Sequence, residues 1–270
     1  MFAYYGPEWE SLQSRMVDRW CTSFSGNTGL QFPSTMGRNH GVLTNFSNNG
    51  NDAYVASPDR LALNFDGSND AVIIPDNNAL NPATGLTLSA WVRHVGATAY
   101  KQIFAKAAGT SSNQRQYGLY IVGGAGPGPA NGLGFETRTA STVEQGFGTV
   151  PTGEWTHVAG TYNGSLMAFY INGVSVGTAA QSGTITIQAS DLFIGQFATG
   201  GFSTFNGQID DVILCNTAVT ANEVRFIYEQ GRGGGMLYQP PRRRSYFASV
   251  TTFKNYWFRN QQRMIGGGVR

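Results

Sequence analysis

The chain has 270 residues and a formal net charge of +2, with 13% charged residues, 13% aromatic residues and 36 glycines. Soluble domains usually contain about 25% charged residues, so this composition excludes a coiled coil, a helical repeat and a highly charged disordered protein. It favours short strands joined by tight turns. No apolar run is long enough for a transmembrane helix, and the first residues lack the pattern of a secretory signal. We therefore expect synthesis in the cytoplasm without a signal peptide.

The N-terminal 22 residues are rich in aromatic side chains and have two alternative interpretations. Residues 9, 12, 16 and 20 are all apolar and have helical spacing after Pro7, which favours a helix. Residues 16–21 can equally form the first strand of a sandwich. We interpret residues 1–22 as an aromatic arm or first strand that precedes a body over residues 23–231.

Alternating apolar runs within the body predict a series of strands. Two Asn-Gly pairs, Asn163-Gly164 and Asn172-Gly173, lie between such runs and predict tight hairpins. The fold class we expect is therefore an all-β, two-sheet antiparallel jelly-roll sandwich of about twelve strands. The predicted strands span residues 61–65, 71–74, 86–92, 102–106, 117–122, 133–139, 155–162, 166–172, 174–177, 191–196 and 207–215.

One short helix is predicted in the body, close to its C-terminal end. Thr220 and Glu223 have the spacing of a capping box, which marks a helix start. Val224, Ile227 and Tyr228 then form an apolar stripe. The glycine at position 231 follows at the place where a C-cap is expected.

The chain has two cysteines, Cys21 and Cys215. Without a secretory signal, the simplest interpretation is a pair of buried, reduced thiols. A disulfide would require that the strands bearing them be neighbours, which the sequence alone leaves open.

Residues 232–270 form a basic tail. Residues 1–231 contain 10 Lys and Arg and all 16 Asp and Glu, whereas the tail contains eight Lys and Arg and no acid. This asymmetry predicts contact with an anionic surface, either nucleic acid or an acidic protein face. The tail is also too apolar for a segment that remains in water. We therefore interpret it as a docking segment.

Arginine and aromatic residues are interleaved in this basic tail. Arginine suits phosphate and carboxylate partners equally, and the aromatic residues suit stacking on single-stranded nucleic acid or burial in a protein interface. Because phosphate binding alone does not need so many apolar residues, we favour a protein partner over nucleic acid. The candidate docking residues are Arg242, Arg243, Arg244, Tyr246, Phe247, Phe253, Tyr256, Trp257, Arg259 and Arg263.

Five blocks in the body resemble laminin-G-like domains of the concanavalin A-like jelly-roll superfamily, and they occur in the order of that family. They are Ala62–Asp70, Leu86–Val92, Gly153–Gly177, Phe205–Leu214 and Thr220–Tyr228. The basic tail lies outside this domain. It is similar to the arginine-rich C-terminal extensions of laminin-G-like proteins from environmental tailed phages and some aquatic bacteria.

We expect no enzymatic activity. The superfamily includes glycoside hydrolases, which need two carboxylates; in those of this fold they lie on one strand, and no such motif occurs here. Glu136 stands alone in its predicted strand, Glu154 lies in a turn, and Asp210 and Asp211 point to opposite faces of theirs. We interpret His157 as a structural histidine, and no Ser/His/Asp arrangement has support in the sequence.

The resemblance implies that a structural Ca²⁺ ion is a possible cofactor, since related jelly rolls often hold one. Calcium prefers six to eight oxygen ligands. By resemblance, the strand ending at Asp66 lies near the strand 207–215, so two groups of oxygens would meet. In the alternative, Asp66 and Asp70 only hydrogen-bond within their own turn and Asp210 anchors a basic side chain of a neighbouring strand. The candidate ligands are Asp66, Asn69, Asp70, Asp210 and Asp211.

Glycan binding would need exposed aromatic platforms. The candidates near loop ends are Tyr100, Phe197, Phe202 and Phe205, and residues 198–205 form the best loop for recognition. Most aromatic residues of such a sandwich are core residues, and the sequence does not separate exposed ones from buried ones.

Two functions remain from these observations. The first is a non-catalytic structural protein of a virion, of the capsid decoration type, whose basic tail docks to a major capsid or other virion protein or to further copies of the chain. The second is a carbohydrate-binding adhesin on a phage tail or a cell surface, with a surface glycan as its partner. Neither function involves a membrane.

Overall fold

The computed structural model describes residues 7–21, 31–32, 34–47, 53–56, 61–124, 126–198 and 203–232. The chain divides into two units, Met1–Met236 and Leu237–Arg270. All ten candidate docking residues belong to the second unit and lie outside the described residues, so the docking role of the basic tail stays a prediction. Within the described part, no helix has the length and apolar character needed to cross a membrane.

The described residues of the first unit form sixteen strands and two α-helices. Two single-turn 3-10 helices, Asn78–Leu80 and Ser112–Gln114, lie in loops. The helices are α1 (Pro7–Arg15) and α2 (Ala221–Arg232). The strands are β1 (Met16–Trp20), β2 (Gln31–Phe32), β3 (Gly41–Thr44), β4 (Tyr54–Ala56), β5 (Leu61–Asp66), β6 (Ala71–Ile74), β7 (Leu86–His94), β8 (Lys101–Ala107), β9 (Arg115–Ile121), β10 (Leu133–Arg138), β11 (Thr142–Phe147), β12 (Thr156–Tyr162), β13 (Leu166–Ile171), β14 (Val174–Ala180), β15 (Leu192–Ile194) and β16 (Asn206–Cys215).

The strands form two antiparallel sheets, which confirms the predicted sandwich. Sheet A has the order β14-β13-β12-β7-β16-β5-β4, with β1 pairing with β16. Sheet B has the order β11-β10-β9-β8-β15-β6-β3-β2. The core lies between them because apolar side chains alternate along each strand. Leu86, Leu88, Ala90 and Val92 of β7 all face this core, as their spacing predicts.

The Asn-Gly pairs lie in hairpins, as predicted. The clearest is the turn between β13 and β14, where Asn172 and Gly173 have φ of 50° and 76°. Positive φ at both central positions is what a type I′ turn requires, and Asn and Gly adopt it most easily.

Residues 7–20 contain a helix followed by a strand, so each of the two alternative interpretations of the N-terminal segment describes part of it. Helix α1 ends at Arg15, and β1 then pairs with β16, with Trp20 opposite Val212. The strand is held by the buried carboxylate of Asp18, which accepts hydrogen bonds from the side chains of Ser34 and Asn39.

Helix α2 begins with the predicted capping box. The Thr220 backbone N–H donates to Glu223 at 2.7 Å, and the Glu223 N–H donates to the Thr220 hydroxyl at 3.3 Å. The predicted C-cap is wrong, because the helix continues through Gly231 to Arg232. A Cβ at position 231 would overlap the Trp91 indole, so glycine is needed there for close packing.

The outer faces of the two sheets differ in their cover. Helices α1 and α2 pack on the outer face of sheet A, where Leu12, Val224 and Ile227 are buried with Ile213 of β16. No described α-helix covers the outer face of sheet B, and polar side chains of β8 to β11, among them Gln102, Arg115, Glu136 and Glu144, lie on that face.

Candidate functional site

A polar cleft lies on the outer face of sheet B, over strands β8 to β11. Its volume is about 150 Å³. The strands place their polar side chains here because the alternate positions, such as Leu119 of β9 and Phe135 of β10, face the core. The cleft is lined by Tyr100, Gln102, Thr110, Arg115, Tyr120, Glu136, Glu144, Phe197 and Ser203.

Two carboxylates and one guanidinium form the polar centre of this cleft. Glu136 of β10 lies directly opposite Glu144 of β11 in the strand pairing. Nη1 of Arg115 donates to Oε2 of Glu136 at 2.7 Å and to Oε2 of Glu144 at 2.9 Å. Like charges on opposite strands repel, so the shared guanidinium is what makes this pair tolerable.

Arg115 is itself held in place from two further sides. Its Nε and Nη2 atoms donate to the carbonyl oxygen of Thr110, at 3.3 and 3.1 Å. Its guanidinium carbon lies 5.0 Å from the centre of the Phe197 ring, within the range of a cation–π contact. The arginine therefore has one orientation and does not reach freely into solvent.

Two glycines create the room for the cleft's large side chains. A Cβ at Gly118 would lie 2.7 Å from Gln102 Nε2 and 2.8 Å from Glu136 Oε1, so the glycine lets both side chains approach the backbone. A Cβ at Gly134, the cross-strand partner of Tyr120, would overlap the tyrosine ring. Glycine at both positions therefore leaves the space that the side chains lining the cleft occupy.

Aromatic rings form the walls of the cleft. Tyr100 and Tyr120 meet edge to face, with ring centres 5.4 Å apart. The Tyr100 hydroxyl interacts with the carboxylate of Glu144. Burial raises the pKa of Tyr100, and the nearby charge of Glu144 raises it further.

Two buried polar atoms in the cleft have no hydrogen-bond partner among the described residues. They are Oε1 of Glu136 and the hydroxyl oxygen of Tyr120. Glu136 is 1% exposed and Tyr120 is 2% exposed. Burial raises the pKa of Glu136 to about 7, against the opposing effect of Arg115, and Glu144 adds to the rise. An unpartnered buried carboxylate oxygen is costly, which is typical of a site adapted to a ligand.

The predicted glycan contacts divide into three groups. Tyr100 and Phe197 both line the cleft, but Phe197 is only 5% exposed and Arg115 covers its ring, so it is not the exposed platform that was predicted. Phe205 is a core residue, 1% exposed and packed edge to face on Phe65, and this corrects its assignment as a glycan platform. Phe202 lies outside the described residues.

The first group of predicted calcium ligands, Asp66, Asn69 and Asp70, already makes hydrogen bonds in and beside its own turn. The Asp70 carboxylate accepts from the Asp66 backbone N–H at 2.9 Å, and the Asp66 carboxylate accepts from the Ser68 N–H at 2.7 Å. The Asn69 carbonyl oxygen accepts from the Asn45 side chain. These bonds are those of the alternative interpretation, in which the residues stabilise the turn.

The second group lies too far away to join the first. Asp66 is opposite Asn206 in the pairing of β5 with β16, and Asp210 is four positions further, about 13 Å along the strand. Asp211 is buried and pairs with Arg19. Among the described residues, no three His, Cys, Asp or Glu side chains form a metal-binding group. The five residues do not fit one calcium site, which corrects the expectation that the two groups meet.

A Ser–His pair occurs on sheet A but is inaccessible. The Ser89 hydroxyl lies 2.7 Å from Nε2 of His157, and both residues are fully buried. Trp91 stacks on Tyr228 of α2, and both rings lie within 6 Å of the His157 ring centre. Burial lowers the pKa of His157 to about 4. The pair lies in the interface between α2 and sheet A, where a substrate cannot reach it.

The two cysteines lie at opposite ends of the pairing of β1 with β16. Cys215 is opposite Met16, and Cys21 follows the other end of β1. Both thiols are buried and no disulfide joins them. Burial raises the pKa of Cys215 to about 12.

Sequence reasoning missed Arg115 and Glu144 as site residues. Strand β11 was not predicted, so Glu136 seemed to stand alone. A signal was available: Thr142, Val143 and Phe147, which are residue types favoured in strands, follow the turn at Ala140. Glu136 and Glu144 are equidistant from that turn, which places them opposite each other in a hairpin.

Comparison with known proteins gives one family match and one curated relative. Residues 66–225 match the family model described as the concanavalin A-like lectin/glucanases superfamily. Pappalysin-1 of Mus musculus is 27% identical over 182 residues, which cover 62% of this chain and 11% of that protein. The chain therefore corresponds to a small part of this relative.

Solved structures with the same fold have lower sequence identity. Domain 4 of AbnA, an extracellular arabinanase from Geobacillus stearothermophilus solved with arabinotriose, has a TM-score of 0.60 and 20% identity, covering 79% of this chain and 98% of that one. The ligand-binding domain of botulinum neurotoxin serotype D, solved with N-acetylneuraminic acid, has a TM-score of 0.59 and 14% identity, and the match covers 82% of this chain and 52% of that one. Trypanosoma rangeli sialidase has a TM-score of 0.59 and 13% identity, and the match covers 82% of this chain and 33% of that one.

Proposed function

Because the chain belongs to the concanavalin A-like lectin/glucanase superfamily, we propose that its sandwich is a carbohydrate-binding module. The observation that supports this most is the polar, aromatic-walled cleft on the outer face of sheet B. Carboxylate oxygens and tyrosine hydroxyls bind sugar hydroxyls, and aromatic rings pack on sugar C–H faces. The ligands of two structural neighbours, arabinotriose and N-acetylneuraminic acid, agree with this class of ligand.

The proposed module is non-catalytic. Glycoside hydrolysis needs two carboxylates with the scissile bond between them. Here Arg115 lies between Glu136 and Glu144 and binds both, so the guanidinium fills the place that a glycosidic oxygen would take. Incubation with neutral and acidic oligosaccharides, followed by a reducing-end assay, tests this part. Release of new reducing ends by the purified protein would contradict it.

The binding proposal is tested by screening the full chain on an array of neutral and acidic oligosaccharides. The variants Tyr100→Ala and Glu144→Gln should reduce binding at least tenfold, because both side chains line the cleft. Glu154→Gln is the matched control, because it changes an exposed carboxylate in a loop that does not line the cleft, and it should bind like the wild type. Failure of the wild-type chain to bind any sugar would reject the proposal.

A second proposed function is decoration of a virion, with the basic tail as the docking segment. It rests on the sequence of residues 232–270, with eight basic and no acidic residues among many aromatic ones. In this proposal the chain is located in the virion, and its partner is the major capsid protein, another virion protein or a second copy. A structural calcium ion stays a prediction without an assigned site.

Mass spectrometry of purified particles tests this second function. Hundreds of copies per particle would indicate shell decoration, and a handful would indicate a tail or vertex adhesin. The chain truncated after residue 231 should still fold but should not be incorporated. Absence of the full chain from particles, or normal incorporation of the truncated chain, would reject the docking role.

A further inference from the structure

We propose that the cleft on the outer face of sheet B takes an uncharged sugar ring and disfavours sugars that bear a carboxylate. This rests on the proposed carbohydrate-binding function and adds the class of sugar. The proposed ligand therefore differs from the sialic acid bound in two structural neighbours, which share only the fold with this chain. The argument depends on three features of the cleft: its charges, its unpartnered polar atoms and its size.

The charges of the cleft disfavour an anion. Among the described residues that line it, Glu136 and Glu144 are acidic and Arg115 is the single cation. All three guanidinium nitrogens of Arg115 already donate, to the two carboxylates and to the Thr110 carbonyl oxygen. Residues 199–202 lie outside the described part, and their sequence contains no charged residue. A ligand carboxylate would therefore be a third anion beside one engaged cation.

The unpartnered atoms in the cleft need a group that both donates and accepts. Oε1 of Glu136 accepts a hydrogen bond, whereas the Tyr120 hydroxyl can donate one. The two residues are on adjacent strands, β10 and β9, and line the same cleft, but both atoms are shielded from solvent, so a side chain must turn before a ligand can reach them. A sugar hydroxyl has a donor and an acceptor, so it can pair with either atom. Above pH 7, where Glu136 is ionised, a ligand carboxylate only accepts, so it would leave the Glu136 oxygen unpaired and would repel it.

The size of the cleft limits the part of a ligand that it can hold to about one ring. Its volume is about 150 Å³, and a cavity of roughly that size accepts one six-membered ring such as benzene. Tyr100 supplies an apolar wall at the edge, whereas Phe197 is buried beneath the Arg115 guanidinium. The cleft therefore fits one sugar residue of a glycan, and further residues would extend into solvent.

The test compares neutral sugars with their own uronic acids, which differ only in the oxidation of C6. Methyl galactoside and methyl glucoside are titrated against the full chain at pH 8, in parallel with methyl galacturonide and methyl glucuronide. We expect at least one neutral sugar to bind about tenfold more tightly than its uronide, since like-charge contacts are strongly unfavourable. Glu144→Gln, which removes one anion, should narrow this ratio, and Glu154→Gln should leave it unchanged.

The outcomes distinguish this inference from the proposed function. A uronide that binds as tightly as its neutral partner, or more tightly, overturns the neutral-sugar assignment while carbohydrate binding stands. The inference is also overturned if Glu144→Gln and Tyr120→Phe both keep the wild-type ratio of neutral-sugar to uronide affinity, because the sugar then binds outside the cleft. If the wild type binds no sugar in this set or on the oligosaccharide array, the proposed function and the inference both fail.

Discussion

Glu136 and Glu144 are direct cross-strand partners on β10 and β11, and a single nitrogen of Arg115 binds both carboxylates. The three residues connect the edge of sheet B to β9. Their burial and their shared charge determine how the cleft responds to pH, to substitution and to ligand.

The first prediction concerns pH. The pKa of Glu136 is raised to about 7 in the folded protein, from about 4.5 in the unfolded chain. The folded state therefore prefers the protonated form, and this stabilisation is complete below about pH 4.5 and is lost as the pH rises through 7. Between pH 5 and 8 the free energy of unfolding of the wild type should fall by about 2 kcal/mol relative to that of Glu136→Gln. Urea unfolding of both proteins measures this, and parallel pH profiles would contradict it.

The second prediction concerns the loss of the shared cation. Arg115→Met leaves two neighbouring carboxylates unpaired, so it should reduce the free energy of unfolding by about 3 kcal/mol at pH 8. The loss should be clearly smaller at pH 5, where Glu136 is protonated. Arg225→Met is the control, because Arg225 pairs with Glu229 on the exposed surface of α2 and should cost less than about 1 kcal/mol. Equal losses for the two variants would rule out the bridging role.

The third prediction tests the glycine beneath Tyr120. In Gly134→Ala the new Cβ takes space that the Tyr120 ring occupies, so we expect a loss of about 1–3 kcal/mol in the free energy of unfolding. In a Tyr120→Ala background the same substitution should cost little. A double-mutant cycle by chemical denaturation measures the difference. A cost that is the same in both backgrounds would mean that Gly134 acts through the backbone and not through the ring.

The fourth prediction reverses the usual effect of a glycine-to-alanine change in a helix. Such a change normally stabilises a helix by about 1 kcal/mol. Gly231→Ala should instead destabilise the protein by roughly 1–3 kcal/mol, because the added methyl overlaps the Trp91 indole. Thermal unfolding of Gly231→Ala alone and with Trp91→Phe measures this, and the smaller ring should recover part of the loss. An increase in the melting temperature of Gly231→Ala would show that the helix moves away without cost.

The amino-acid sequence alone predicted most strands of the sandwich. Alternation along β7 identified the core face that contains Leu88 and Val92, and the Asn172-Gly173 pair located a hairpin. The capping box at Thr220 located the start of α2. These signals are local, since each depends on residues within one strand, one turn or one helical turn.

The tertiary structure decided the site. Glu136 and Arg115 are 21 residues apart and come together only through the pairing of β9, β10 and β11. Tyr100 and Phe197 were named from the sequence as loop aromatics, but their meeting over this sheet was not predictable, and Phe205, named with them, is core. Burial, strand register and the distance between side chains depend on pairings between remote segments, and the alternation of apolar residues within one segment holds no information about them.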